Sequence, residues 1–486
     1  MVHQQAENET EDSRLIRAGG SYGACPCDEL GENEEDFTKI TTYFDEFIQI
    51  LRKSLPLALT LLLQNLISSV SLLFVGRLGS LVLGSVTLAN VIFNATAVVF
   101  LGLATCLDTL CPQAYGAGNY TLVGLYFQRC IIISTIVSIP ISFVWIFSKP
   151  LLNLVAKDAE LINISSQYLK CMVGCIPGYI VFECGKKYMQ AQGDFHTAQM
   201  ILLIGFPFSI LANYIFILNS PLGYLGAPLA SSLTFTLMGI LMACAMLRDR
   251  KCWHEFHWKT VIHGWEPLIR LAVPGIIMIE AEFLAFESLT VLAARFETTE
   301  LASQAVATSV QSISFQIPFA VSIAASNRIS THVGRGKIPD CQIATRSTLF
   351  YMGPAVSMLN LVGLLGGRYF VSSLFTSDPA VIQRAAKLIS VIAINQIWDA
   401  YNVLGAGCLR AQGRQNIGGY LNLVAYYVFG MPLAIYLGFY LDWQAFGFWI
   451  GLGFGIFALA IGEMYCVYRS DWPLIMLQSE LLHGAA

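Results

Sequence analysis

The sequence predicts an all-α, polytopic membrane protein whose twelve transmembrane helices form two parallel six-helix lobes. Three observations carry this. The 486 residues are 55% hydrophobic and only 12% charged, where a soluble globular chain carries about 25% charged residues. Apolar runs recur from Leu55 almost to the end, at the roughly 20-residue length that crosses a hydrocarbon core. The second half of the chain also repeats landmarks of the first at a nearly constant offset. A soluble fold would have to stack many all-apolar helices of this length in one core, so lipid is the expected solvent.

Taken in order, residues 1–44 are polar and acidic, with Glu32, Glu34, Glu35 and Asp36 close together. They read as a disordered cytosolic tail, and with no apolar h-region no signal peptide is expected. Cys25 and Cys27 lack the second pair that a zinc site requires. Other cysteines, such as Cys130, Cys184 and Cys408, fall within apolar runs and read as small hydrophobes.

Breakers between the runs place six spans at 50–75, 80–106, 123–148, 161–190, 197–218 and 225–248, within an N-lobe of residues 45–256. Six more follow at 266–295, 300–331, 342–367, 380–409, 416–438 and 444–468, within a C-lobe of residues 257–472. Residues 473–486 form a short cytosolic tail. The polar stretch between the lobes holds Arg248, Asp249, Arg250, Lys251 and His254 with Trp253 and Trp258, the composition of an interfacial connector. Loops on the side of both termini carry about 20 of the 28 basic residues, so both termini are expected in the cytosol. Lys186, Lys187, Arg328 and Arg410 are counted in that basic set. Tyr43, Trp145, Tyr401, Trp443 and Trp449 read mostly as interfacial anchors, and Pro177 and Pro318 as kinks inside spans.

The repeat is the most informative feature. Pro56 pairs with Pro274, Arg77 with Arg295, Ala89 with Ala307, Gly116 with Gly334 and Gly118 with Gly336, each 218 residues apart. Gln190-Ala-Gln-Gly193 faces Arg410-Ala-Gln-Gly413, and Asp158 faces Asp378, at 220. Six spans is an even number, so the two copies share one orientation in the bilayer. Transporters built from repeats hold their substrate near the midplane at the repeat interface, and transport is the leading reading.

Particular blocks then resemble the MATE (multidrug and toxic compound extrusion) family, in its plant and fungal branch. They are Leu107-Asp-Thr-Leu-Cys-Pro-Gln-Ala-Tyr-Gly116, Gln190-Ala-Gln-Gly193, Arg410-Ala-Gln-Gly-Arg-Gln415 and Gly419-Tyr-Leu-Asn-Leu423, followed by Tyr426, Tyr427 and Pro432. The resemblance covers nearly everything from Leu55 to Tyr468. It implies secondary export of organic, often cationic, solutes by exchange with H+ or Na+. The implied partners are a small solute and the lipid bilayer, with no cofactor beyond the ion. It also implies a monomer in the plasma or vacuolar membrane of a eukaryote.

Ionisable groups inside spans cost about 2.5 kcal/mol or more each and usually mark a pathway. The seventh span carries Glu280, Glu282 and Glu287. On an ideal helix Glu280 and Glu287 share one face while Glu282 points roughly the other way, so all three cannot line one cavity. The resemblance places the family's seventh-span acid at Glu282 and a second acid at Glu287. In the tenth span Asn395, Asp399 and Asn402 form a polar stripe at i, i+4 and i+7, expected on a cavity wall. The resemblance makes Asp399 the coupling acid. A carboxylate in a low-dielectric cavity, above all beside another, can hold a proton near neutral pH. A cationic solute favours its ionised form, and that competition suffices for exchange of a proton for a cation.

The N-lobe mate of Glu282 is Gln64, which cannot titrate, and the lone deep acid there is Glu183. Glu183 is either functional or paired with Lys186 or Lys187, one turn away. Asp108 reads as structural or gating. A net charge of −4 gives no reason to expect nucleic acid, and no Walker loop is present for ATP. A major-facilitator transporter and a lipid-linked-sugar flippase remain alternatives. The first lacks its basic loop after the second span, and the second lacks a cluster of cations for pyrophosphate within the spans. No nucleophile–base or metal constellation supports an enzyme.

Overall fold

The computed structural model describes residues 41–155, 158–248, 251–253, 255–293 and 295–484. The tail to residue 40, with Cys25 and Cys27, lies outside the described residues, as do Asp249, Arg250 and His254. The first span is Tyr43–Val75, so helix begins within the stretch read as tail. The next two are Ser80–Gly116 and Tyr120–Ile146. The fourth is made of two helices, Ala159–Met172 and Ile176–Ala191, joined by a 3-10 turn. The fifth and sixth are His196–Leu218 and Gly226–Arg248. The C-lobe follows with Glu266–Ala293, Thr298–Gly334, Ile338–Phe375, Pro379–Ala411, Gln415–Tyr440 and Gln444–Tyr468.

Ten of the described helices are long and apolar enough by themselves to cross a bilayer. The fourth and seventh spans complete the twelve. The fourth is interrupted at Val173–Cys175 and carries Glu183, Lys186 and Lys187. The seventh carries Glu280, Glu282 and Glu287. Charge in a span is tolerated only where protein or a cavity faces it. Pro177 therefore opens a second helix instead of kinking a continuous one, while Pro318 does lie inside the eighth span.

The repeated landmarks turn out to be chain-end chemistry. Asp158 accepts from the backbone N–H of Glu160, and its mate Asp378 from that of Ala380, both at 2.9 Å. Each caps the start of its helix, satisfying an orphan donor. Gly118 and Gly336 turn the chain with φ of 77° and 70°, a left-handed conformation open to glycine.

At the end of the molecule where the first span begins, the two lobes meet in a seal that obeys the repeat. Thr109 Oγ1 donates to the Arg410 carbonyl at 2.6 Å, and Asn327 Nδ2, the mate of Thr109, donates to the Gln190 carbonyl at 2.8 Å. Gln190 is the mate of Arg410. The second and eighth spans cross at Gly116 and Gly334, where an added Cβ would lie 2.2 Å from the Thr331 carbonyl and 1.9 Å from the Gln113 carbonyl. Beside this crossing, fully buried Glu46 of the first span takes both Nε (3.0 Å) and Nη2 (2.7 Å) of Arg328, with His332 Nε2 at 3.1 Å. Arg328→Ala leaves that carboxylate with His332 alone and should lower stability by about 3 kcal/mol. The apparent melting temperature in detergent checks this, with the neutral pair Glu46→Gln/Arg328→Gln expected to lose less.

Residues 473–484 of the stretch read as a tail belong instead to a docked helix, Trp472–Gly484. Buried Trp472 and Ile475 join the apolar core beside the eighth and ninth spans. Its far end reaches the N-lobe, where Ser479 Oγ donates to Gln113 Oε1 at 3.1 Å and His483 Nδ1 lies 3.4 Å from Tyr126 Oη. Burial depresses the His483 pKa from 6.5 to about 4. The undocked imidazole binds a proton first, so docking is complete above pH 6.5 and weakens as pH falls from 6.5 toward 4, by roughly 3 kcal/mol in all. Amide protection factors across residues 472–484, taken against intrinsic exchange at each pH, should fall between pH 7 and 5, and His483→Gln should flatten that response.

Trp145 and Trp449, expected at the membrane interface, are each only 1% exposed. Their indole N–H groups donate at 2.8 Å to Thr96 Oγ1 and Gln304 Oε1 respectively, so they are core residues with satisfied polar edges.

Candidate functional site

Above the seal the lobes part around a cavity of about 480 Å³. The first span contributes Gln64, the fourth Lys186, the seventh Glu282 and Glu287, the eighth Gln311 and the tenth Asn402 and Arg410. Phe283, Phe286, Phe315 and Phe319 supply much of the apolar wall. Such a lining, mostly apolar with a few convergent polar groups, suits a small organic ligand.

The seventh span faces the cavity through Ile279, Glu282, Phe283, Phe286 and Glu287. With Met278 also on the lining, this is a broad arc that has Glu287 at one edge and Glu282 inside the other, and Glu280 falls just outside it. Two of the three acids line the cavity, but they are Glu282 and Glu287, not the pair Glu280 and Glu287 that the ideal helix groups on one face. Among the described residues neither Glu282 nor Glu287 has a hydrogen-bond or ion-pair partner, so their oxygens are open to whatever fills the cavity.

Asp399 is fully buried and stands one layer behind the wall. Its Oδ2 accepts from Gln311 Nε2 at 3.0 Å and Gln396 Nε2 at 2.9 Å. Gln311 and Asn402 separate it from the cavity. Asn395 departs from the expected stripe. Its Nδ2 donates to the Trp449 carbonyl at 2.8 Å, against the glycine surface of the twelfth span at Gly453. The cause is height, because the cavity touches the tenth span only between Asn402 and Arg410.

In the N-lobe, Gln64 Nε2 donates to Glu183 Oε1 at 2.7 Å, Lys186 Nζ lies 2.9 Å from Glu183 Oε2, and Lys186 Nζ donates to Gln64 Oε1 at 3.1 Å. The triangle compensates its own charge, the paired alternative for Glu183. Lys187 and Asp108 form a second buried pair at 2.8 Å. Lys186, Lys187 and Arg410, counted among loop cations, are 2–3% exposed and belong to the protein interior.

Sequence reasoning overlooked Glu463 of the twelfth span. It is fully buried, neither oxygen is within hydrogen-bond geometry of a donor, and a Cβ at Gly405 would lie 3.0 Å from it. An acid between Gly462 and Met464 in an apolar run was visible by the same rule that marked the other acids.

A family model described as MatE matches residues 56–215 and 274–436, the two halves of the repeat. An uncharacterized transporter of Saccharomyces cerevisiae is 37% identical over 91% of this chain, which spans 64% of that protein's length. Protein DETOXIFICATION 17 of Arabidopsis thaliana is 32% identical, with 86% of this chain and 89% of that protein aligned. The crystal structure of the eukaryotic MATE transporter AtDTX14 superimposes with a TM-score of 0.85 at 26% identity, covering 90% of this chain and 98% of that one. This chain is an integral membrane protein of twelve helices and belongs to the MatE family.

Proposed function

We propose that the protein is a secondary active exporter that releases organic, predominantly cationic solutes from the cytosol in exchange for protons, with Na+ as the alternative coupling ion. The carrying observation is the cavity between the lobes, shut at one end by the repeat-related seal and bearing the unpartnered carboxylates Glu282 and Glu287, with Asp399 behind them. Aromatic rings on its wall offer faces for a delocalised cation. An ionised Asp399–Glu282 pair attracts such a solute, and protonation releases it. Breaking the seal while the opposite end closes moves the same site between the two faces by a rocker-switch motion. In this reading both termini are cytosolic, and the protein acts as a monomer in a plasma or vacuolar membrane with no cofactor other than the ion. Nucleic acid has no part in it. The family match sets aside the major-facilitator alternative.

Proteoliposomes loaded at a different pH from the bath test the reading. A pH gradient should drive uptake of a fluorescent organic cation, and a sodium gradient at constant pH should not. Uptake driven by sodium alone would replace the ion, and uptake driven by neither would refute coupled export.

A further inference from the structure

One buried cation on the cavity wall is not neutralised at contact distance. Arg410, in the last turn of the tenth span, is 2% exposed. Of its five N–H donors, one on Nη2 meets Ser322 Oγ at 3.1 Å, and Nε has no acceptor. Among the described residues no carboxylate lies within ion-pair distance of it.

Its placement is built in. The Ser322 hydroxyl donates to the Val403 carbonyl at 2.6 Å, which leaves an oxygen lone pair to receive Arg410. A Cβ at Gly407 would lie 2.3 Å from that oxygen, so glycine is what keeps the contact. The Phe319 ring centroid stands 5.8 Å from the guanidinium carbon, giving it an aromatic face.

Lys186, the other cation on the wall, provides the contrast, because Glu183 holds it at 2.9 Å. Arg410 stands within electrostatic reach of two carboxylates, Glu282 on the cavity wall and fully buried Glu463, and touches neither. A buried guanidinium with open donors is unfavourable unless acceptors are supplied, and its planar fork matches a carboxylate. The cavity thus presents an open cation and open anions across a gap. The repeat mate of Arg410 is neutral Gln190, so the cation stands on one lobe only.

We infer that Arg410 is an anion subsite, and that the cavity takes amphoteric organic solutes, with a carboxylate for Arg410 and a basic group for the seventh-span acids. This rests on the export reading and narrows its substrate class. A cavity of about 480 Å³ accommodates such a molecule at small drug size.

The test uses two dyes that differ at one group, rhodamine 110, with a free carboxylate, and rhodamine 123, its methyl ester. Initial uptake of each into proteoliposomes is measured for wild type, Arg410→Gln, Arg410→Lys and Ser322→Ala. The readout is the ratio of rhodamine 110 to rhodamine 123, which cancels differences in active protein between preparations. Wild type should carry both dyes. Arg410→Gln should lower the ratio about tenfold or more, the loss of a charge-assisted contact. Arg410→Lys, which keeps charge without the fork, and Ser322→Ala, which frees the side chain, should lower it less. These two variants decide the matter if Arg410→Gln does not give monodisperse protein. An unchanged ratio across the variants overturns the subsite, as does a wild type that carries rhodamine 123 but excludes rhodamine 110. A wild type that carries neither dye overturns the export reading along with it.

Discussion

Asp399→Asn should reduce proton-driven uptake of an organic cation to about a tenth of the wild-type rate or less, a loss equivalent to about 1.4 kcal/mol or more. The substitution is close to isosteric. An asparagine carbonyl can still accept from Gln311 and Gln396, which now donate to Asp399 Oδ2 at 3.0 and 2.9 Å. The surrounding packing is therefore kept while the group loses its charge and its proton. Counterflow of labelled solute without any gradient should survive better than gradient-driven accumulation, because counterflow needs the cavity but not the coupling. Normal accumulation by a monodisperse mutant would make Asp399 structural and would shift the coupling role to Glu282 or Glu463.

The second large effect is expected at the seal. Gly334→Ala places a methyl group 1.9 Å from the Gln113 carbonyl, and backbone on both sides leaves nothing flexible to give way. Overpacking of this kind costs about 1–3 kcal/mol, which alters the balance between closed and open seal about 5- to 150-fold. Spin labels at Ala117 and Arg335, exposed repeat mates flanking the crossing, should move to longer separations, and transport should fall with them. Gly366→Ala is the control, since nothing lies within 4 Å of its added Cβ. Unchanged distances in Gly334→Ala would mean that the two spans yield locally without parting the lobes.

The architecture was legible because hydropathy and repetition are properties of the chain itself. The number and order of the spans followed the hydropathy, although the second helix runs on to Gly116 and the fourth span is broken, and the repeat-paired aspartates and glycines proved to be caps, turns and crossings that any copy of the unit needs. The site was less legible. Periodicity grouped Glu280 with Glu287, whereas Glu282 and Glu287 line the cavity, and it could not give the depth of any acid. Asn395 therefore sits above the cavity, and Asp399 sits behind Gln311. Lys186 and Arg410 were assigned to loops because a basic residue at the end of an apolar run looks the same whether it leaves the membrane or folds inward. Their exposures of 3% and 2% depend on partners far away in sequence, Gln64 for Lys186 and Ser322 for Arg410.

The reciprocity of the seal has a consequence for ancestry. Thr109 reaches the carbonyl of Arg410 while Asn327 reaches that of Gln190. Gly116 packs on Thr331 while Gly334 packs on Gln113. This is the pattern of an isologous contact, in which one surface recognises itself about a two-fold axis. Two copies of a single six-helix polypeptide could close such a contact without a covalent link. Joined in one chain, the two copies are free to differ, and the charged positions are where they do. Glu282 stands opposite Gln64 and Arg410 opposite Gln190. The backbone contacts that join the halves have kept the symmetry of a homodimer, while the side chains that face the cavity have lost it.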